Sequence, residues 1–319
     1  MADSNAKPDP ASRVSLLAQF GGAEPQRPAW FTEALSCAPE RSFTPVAGAS
    51  IETLAWGERG RPGLLFLHGN GANADWWSFI APFFARTHRV AALSFSGMGG
   101  SEWRESYSLD LHMQETFAVA EALGLFESPE KPLFVAHSYG GYVLMAGAAH
   151  HGGRLRGTVM VDSAIRRPEE HRSWTPPPPR TAHKIYASLP DALARFRFAP
   201  TQDCEHLFIA DFIARASLKT VPNAGEEGGE GWTWRFDPSL WGRLRLVDLP
   251  ALLAAPRCPL AQIVGDRSRL VAPPVADFMR ETAPQGSPWI EIPDADHHVM
   301  VDQPLAFVAA LRGLLVGWP

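Results

Sequence analysis

Ser138 sits in Phe134-Val135-Ala136-His137-Ser138-Tyr139-Gly140-Gly141-Tyr142, a setting that could make a hydroxyl reactive. The apolar run Leu133 to Ala136 predicts a short buried strand, and Tyr142 to Ala149, apolar with small residues, predicts a helix. A serine hydroxyl is a poor nucleophile and must stand clear of the backbone to meet a base and a substrate. A sharp strand-to-helix turn presents it that way. Strand and helix then lie close, so the residues two before and two after must be small, and Ala136 and Gly140 are. This is the form of a nucleophile elbow, with Ala136 where G-x-S-x-G has its first glycine. Taken alone, the same pattern fits a serine in any strand-to-helix turn, so the surrounding elements decide.

Those elements alternate. Residues 42–47 and 50–57 predict an antiparallel hairpin around Gly48-Ala49. Leu64 to Leu67 predicts a buried strand ending at His68-Gly69-Asn70-Gly71, and Trp76 to Arg86 a helix. Val90 to Leu93 is the next strand, followed by the glycine-rich Ser94–Ser101. Leu109 to Leu123, with apolar positions three and four apart, is a helix. After the strand carrying Ser138, Gly157 to Val161 forms another, ending at Asp162. Such alternation implies a parallel sheet with helices on both faces. In these sheets functional groups gather at the carboxyl ends of strands. His68, Ser94, Ser138 and Asp162 all fall there, on four successive strands.

From about residue 164 to 250 the alternation stops. Pro176-Pro177-Pro178-Pro179 interrupts the chain, Ile185–Phe198 and Glu205–Leu218 predict helices, and residues 223–231 form a glycine-rich loop. Trp232, Trp234, Phe236 and Trp241 crowd one span; they fit core packing and a substrate-facing wall equally well. We read an inserted, largely helical cap. Strand order resumes at Leu260–Val264 and Trp289–Ile292, with helices at Val275–Thr282 and Pro304–Leu315. Residues 1–40, rich in Pro, Ala and Ser, read as a loose arm with one short helix that packs on the body. The expected division is therefore an arm (1–40), a core (41–163 and 251–319) and a cap (164–250).

The chain has 319 residues, 45% hydrophobic and 20% charged, enough for a large core. Its net charge of −5 excludes a basic nucleic-acid footprint. Cys37, Cys204 and Cys258 are odd in number and far apart, with no C-x-x-C pair. They suggest neither a disulfide framework nor a zinc knuckle, which points to a reducing cytoplasm. The first residues lack a signal pattern, and no apolar run reaches the ~18 residues that span a bilayer. No P-loop lysine follows the glycines of Ser94–Ser101, and no H-E-x-x-H occurs. No cofactor and no metal is expected, and oligomeric state is not legible.

Over roughly residues 42–319 the chain resembles the α/β-hydrolase fold superfamily. Four landmarks match in order: His68-Gly69, the serine elbow, an acid at a strand end, and a histidine before the last helix. The resemblance implies a mostly parallel eight-stranded sheet with an inserted cap. It implies Ser138 as nucleophile and His297 as base, with His298 as the fallback. Asp296-His297-His298 and Asp302-Gln303-Pro304 match the usual Gly-His and acidic-x-Pro, with Asp296 replacing glycine. The acid has two candidates. The usual position, three residues beyond Gly265, is Ser268, which cannot carry the charge. Asp266 lies one residue after that glycine, and Asp162 occupies the position a minority of the superfamily uses, which we favour. The oxyanion hole falls to the backbone N–H groups of Asn70 and Tyr139, while His68 has a structural role in orienting its loop.

The resemblance implies a serine hydrolase acting on a small or medium hydrophobic ester or related acyl compound. Hydrolysis of a carbon–carbon bond in a dicarbonyl compound uses the same residues, and Arg166, Arg167, Arg195 and Arg197 of the cap would suit an acidic substrate. A non-catalytic ligand receptor on the same scaffold is the third reading, favoured only by the absence of an acid at position 268.

Overall fold

In the centre of the sheet, apolar runs are buried on both sides. The structure is a computed structural model and describes residues 15–171, 182–225, 228–245 and 248–317. β3 (Gly63–Leu67), β4 (Arg89–Leu93), β5 (Leu133–His137) and β6 (Gly157–Val161) are buried at every position. Successive side chains of a strand point to opposite faces. Leu64 and Phe66 thus join one core cluster, and Leu65 and Leu67 the other. A strand covered on both faces reads as a continuous apolar run rather than an alternating one.

β1 (Glu40–Val46), β2 (Ala49–Trp56), β7 (Leu260–Gly265) and β8 (Trp289–Ile292) complete an eight-stranded sheet of order β1-β2-β4-β3-β5-β6-β7-β8. β1 and β2 pair antiparallel, as does β2 with β4; every other pairing is parallel. α2 (Leu109–Ala122), α3 (Tyr139–His151) and α5 (Pro273–Thr282) cover one face through Val119, Val143 and Met279. α6 (Pro304–Gly317) covers the other through Phe307 and Leu311.

α1 (Ala29–Ser36) is the short helix expected in the arm, and it packs on the body through Phe31 and Ala34, while most other described residues of the arm are exposed or half-buried. Phe31 is fully buried against Phe79, Phe208 and Phe212. Ser15 Oγ donates to the carbonyl of Ala194 at 2.6 Å. Burying one phenylalanine is worth roughly 2–3 kcal/mol, enough to hold a short segment down.

Two predicted helices are shorter than expected. The helix expected over Trp76–Arg86 is instead two 3-10 turns, Ala74–Trp77 and Ala81–Phe83. Pro82 removes a donor there, and Trp76 to Ala81 are buried on every side rather than on one stripe. The helix expected over Ile185–Phe198 is confined to Leu189–Leu193. Ser188 caps its start, Pro190 sits in the first turn where its missing N–H costs nothing, and Tyr186 pairs both ways with Trp232 in extended form, so the helix cannot begin earlier. The helix expected over Glu205–Leu218 appears as α4 (Leu207–Ala216). Beside it the segment carries an antiparallel hairpin, Leu218–Val221 with Gly231–Trp234, that the sequence did not suggest. Pro176–Pro179 lies outside the described residues.

Candidate active site

Ser138 follows β5 directly and precedes the first residue of α3. Its φ is +51° and ψ −119°, a region that non-glycine residues rarely adopt. Strand, turn and helix crowd here as the small residues require: a Cβ on Gly140 would come within 2.7 Å of the His68 carbonyl oxygen. The elbow helix is anchored from below by Tyr139, whose buried hydroxyl lies 2.6 Å from His112 Nδ1.

His297 Nε2 lies 3.0 Å from Ser138 Oγ, and His297 Nδ1 lies 2.7 Å from Asp162 Oδ2. A carboxylate cannot donate, so Nδ1 carries the proton and Nε2 accepts from the serine hydroxyl. Asp162 is fully buried at the end of β6, and its φ of +47° turns the carboxylate toward the histidine. Its other contacts come from the loop after β7. Gly265 N donates to Oδ1 at 3.2 Å and Ser268 Oγ donates to Oδ2 at 2.7 Å. Ser268 Oγ itself accepts from Val271 N, which leaves its proton directed at Asp162.

Asp266 stands outside this line. It is exposed, and its Oδ1 accepts from Ala295 N at 3.3 Å. His298 is turned away from Ser138. Its ring packs on Phe198 and Trp76, and its Nδ1 lies 2.6 Å from Gln202 Oε1. Gln202 Nε2 donates to both oxygens of Asp302, and Asp296 N donates to Oδ2. Burial pushes the Asp302 carboxyl up to about 6. Sequence reasoning missed this bracket, although Asp302 stood in the motif it quoted; only the fold brings Gln202 to it.

His137 is buried, packs on His297 and donates from Nε2 to the His297 carbonyl at 3.0 Å. Burial, and then the charge of His297, hold both His137 and His298 well below the ordinary imidazole range. His68 is fully enclosed, which lowers it to about 4. Its Nδ1 donates to Gly69 O at 2.6 Å and its Nε2 accepts from Phe95 N at 3.0 Å, tying the ends of β3 and β4 together. Tyr139, as the first residue of α3, has an N–H without an intrahelical acceptor. Asn70 lies exposed in the loop after β3.

A cavity of about 500 Å³ opens beside this loop. Asn70 and His298 are among its lining residues, and Trp76, Phe198, Trp234 and Trp241 give it an apolar wall. Phe236 lines it too, whereas Trp232 packs against the core, so the aromatic crowd divides between both expected uses. Arg195 and Arg197 reach the cavity; Arg167 pairs instead with Glu281.

Residues 64–311 match the profile of the alpha/beta hydrolase family. The chain belongs to that family and is a hydrolase. It is similar to a pimeloyl-[acyl-carrier protein] methyl ester esterase of Edwardsiella ictaluri, 27% identical over 79% of this chain and 92% of that one. An esterase of Mycobacterium tuberculosis is 25% identical over 85% of this chain and 88% of its own length. Among solved structures, a thioesterase domain from the curacin biosynthetic pathway superposes with a TM-score of 0.67 at 22% identity, covering 86% of this chain and 99% of the domain. That likeness is one of fold. No helix among the described residues is long and apolar enough to cross a membrane.

Proposed function

We propose that the protein is a serine hydrolase that cleaves a small or medium hydrophobic ester through an acyl-enzyme. The observation that carries this is the unbroken hydrogen-bonded line from Ser138 through His297 to Asp162, with Ser138 on a strained turn. Ser138 Oγ attacks the ester carbonyl while His297 Nε2 takes its proton. The tetrahedral oxyanion faces the N–H groups of Tyr139 and Asn70. Such donors are worth roughly 3–4 kcal/mol each by removal. The alcohol leaves with the proton from His297, and water then repeats the sequence to free the acid and restore Ser138. Asp162 holds Nδ1–H and stabilises the imidazolium. Residues 164–250 act as a cap over the core of 41–163 and 251–319, and the aromatic cavity receives the acyl chain. Relatives named as esterases support ester over other acyl bonds. Three free cysteines suit a cytoplasmic setting.

The test is labelling by a fluorophosphonate, which reacts rapidly only with an activated serine, together with p-nitrophenyl ester hydrolysis. Wild type should label and turn over, and Ser138→Ala should do neither while keeping its circular dichroism. An unlabelled wild type, or a fully active Ser138→Ala, defeats the proposal. A second reading, cleavage of a carbon–carbon bond in an acidic dicarbonyl compound, draws on Arg195 and Arg197 at the cavity. Turnover of such a compound faster than of any neutral ester would favour it.

A further inference from the structure

Three imidazoles meet at the catalytic end of the sheet. Ring centroids of His137 and His297 lie 4.7 Å apart, His297 and His298 4.8 Å, and His137 and His298 5.3 Å. One ring nitrogen from each lies within 4.8 Å of one from each of the others. All three side chains are buried.

The hydrogen bonds also set their tautomers. His297 donates from Nδ1 to Asp162, and His137 from Nε2 to the His297 carbonyl. His298 donates from Nδ1 to Gln202 Oε1, an orientation secured because the Gln202 amide nitrogen faces the carboxylate of Asp302. Each neutral ring therefore keeps one nitrogen without a proton: Nδ1 of His137, Nε2 of His298, and Nε2 of His297, which accepts from Ser138 Oγ. A metal-bound imidazole has this arrangement, one nitrogen on the ion and the other N–H held by a carboxylate, carbonyl or similar acceptor. The bare Nδ1 of His137 is enclosed and has no hydrogen-bond partner among the described residues. A buried acceptor without a partner is costly, and a ligand there would relieve it.

We propose that His137, His297 and His298 form an inhibitory site for a divalent transition ion of the zinc type. Neutral imidazoles suit such ions, with metal–nitrogen distances of roughly 2.0–2.1 Å in tetrahedral geometry, hence nitrogens about 3.4 Å apart. The nitrogens now lie within 4.8 Å of one another, so binding requires the three rings to close by up to about 1.4 Å. The ion enters from the aromatic cavity, which His298 helps to line. It takes the Nε2 that Ser138 otherwise uses, so metal binding and proton transfer exclude one another. Inhibition in this form rests on the serine-hydrolase reading; binding of the ion does not.

The test uses metal-free full-length protein. Added Co²⁺ should develop the visible bands of four-coordinate cobalt, and Zn²⁺ should remove them by displacement. Zn²⁺ should slow fluorophosphonate labelling, with EDTA restoring it. By calorimetry, His137→Asn and His298→Asn, checked for folding, should each weaken Zn²⁺ binding by about tenfold or more. A wild type that gives neither cobalt bands nor Zn²⁺ heat overturns the site, as does Zn²⁺ affinity unchanged in both variants. The cobalt spectrum needs no turnover. Its failure is thus separable from failure of the hydrolase reading, which appears as an unlabelled metal-free enzyme.

Discussion

At the scale of the residue, two aspartates and one serine separate the possible acids. Asp162 lies 2.7 Å from His297 Nδ1, whereas Asp266 is exposed and engaged with Ala295 N. Asp162→Asn should slow fluorophosphonate labelling and ester turnover by about 10³–10⁴-fold through loss of the correct tautomer, and Asp266→Asn by little. Equal losses in the two variants would contradict that assignment. Ser268 is the subtler case. Its hydroxyl donates to the same Asp162 oxygen that His297 uses. Removing that donor by Ser268→Ala takes one hydrogen bond from the carboxylate oxygen that holds His297. Ester kcat should fall about tenfold or less, with KM little changed. A kcat identical to wild type would reduce Ser268 to a packing residue. The position that lacks the usual acid holds a hydrogen-bond donor to the acid found elsewhere. A sequence shows the substitution but not the contact.

At the scale of the element, the loop between β8 and α6 brings His297 to the site and ends on Asp302. Burial holds the Asp302 carboxyl up at about 6, against an ordinary 3.8, with Asp296 and Asp162 adding to the rise and Gln202 and the Asp296 N–H opposing it. The fold therefore favours the protonated group. Its stabilising contribution is complete below about pH 4 and is lost as pH rises through about 6. Stability of the wild type relative to Asp302→Asn should decline across that window by about 1–2 kcal/mol, after allowance for solvent screening. Denaturant titrations at pH 4 and pH 7 would reveal it; a constant difference would refute it. A second element-level junction is Glu52 on β2. It is almost fully buried and accepts from Gly100 N at 2.7 Å, Ser94 Oγ at 2.8 Å and Arg41 Nη1 at 2.6 Å. Arg235, from the inserted segment, reaches it at 3.2 Å. Burial pushes its carboxyl up, but these donors and charges outweigh that and leave it below the ordinary range. Glu52→Ala should cost about 3–5 kcal/mol, because it strands buried donors and charges together. A loss under about 1 kcal/mol in urea unfolding would show the network to be dispensable.

At the scale of the whole molecule, the N-terminal segment and the inserted segment are knit to one another as well as to the sheet. Phe31 of α1 packs on Phe208 and Phe212 of α4, and Arg215 Nη2 donates to the carbonyl of Gly22 at 2.7 Å. Phe31→Ala should destabilise the protein by about 3–5 kcal/mol. It should also loosen the inserted segment, read as faster amide exchange over residues 207–216. Exchange there unchanged while global stability falls would mean that the arm supports the core alone.

What the sequence by itself determined was local. Largely apolar runs of four or five residues bounded by polar turns specified β3 to β6, since a strand buried on both faces has few alternatives. The small residues around Ser138, read together with the strand before it, the helix after it and the order of the other elements, pointed to the elbow. The order of elements specified a parallel sheet whose carboxyl ends collect the polar residues. Tertiary structure decided whatever depended on residues far apart in the chain. Asp162 and His297 are 135 positions apart, and their contact exists only because β6 and β7 are neighbours and the loop before α6 folds back over them. Ser268 and Gln202 likewise gained their partners through packing. The 3-10 turns at Ala74–Trp77 and Ala81–Phe83, and the hairpin ending at Trp234, were set by burial and cross-chain pairing, which override local periodicity. The short helix of the arm was legible, but its partners were not: Phe31 meets Phe79, Phe208 and Phe212 only through packing.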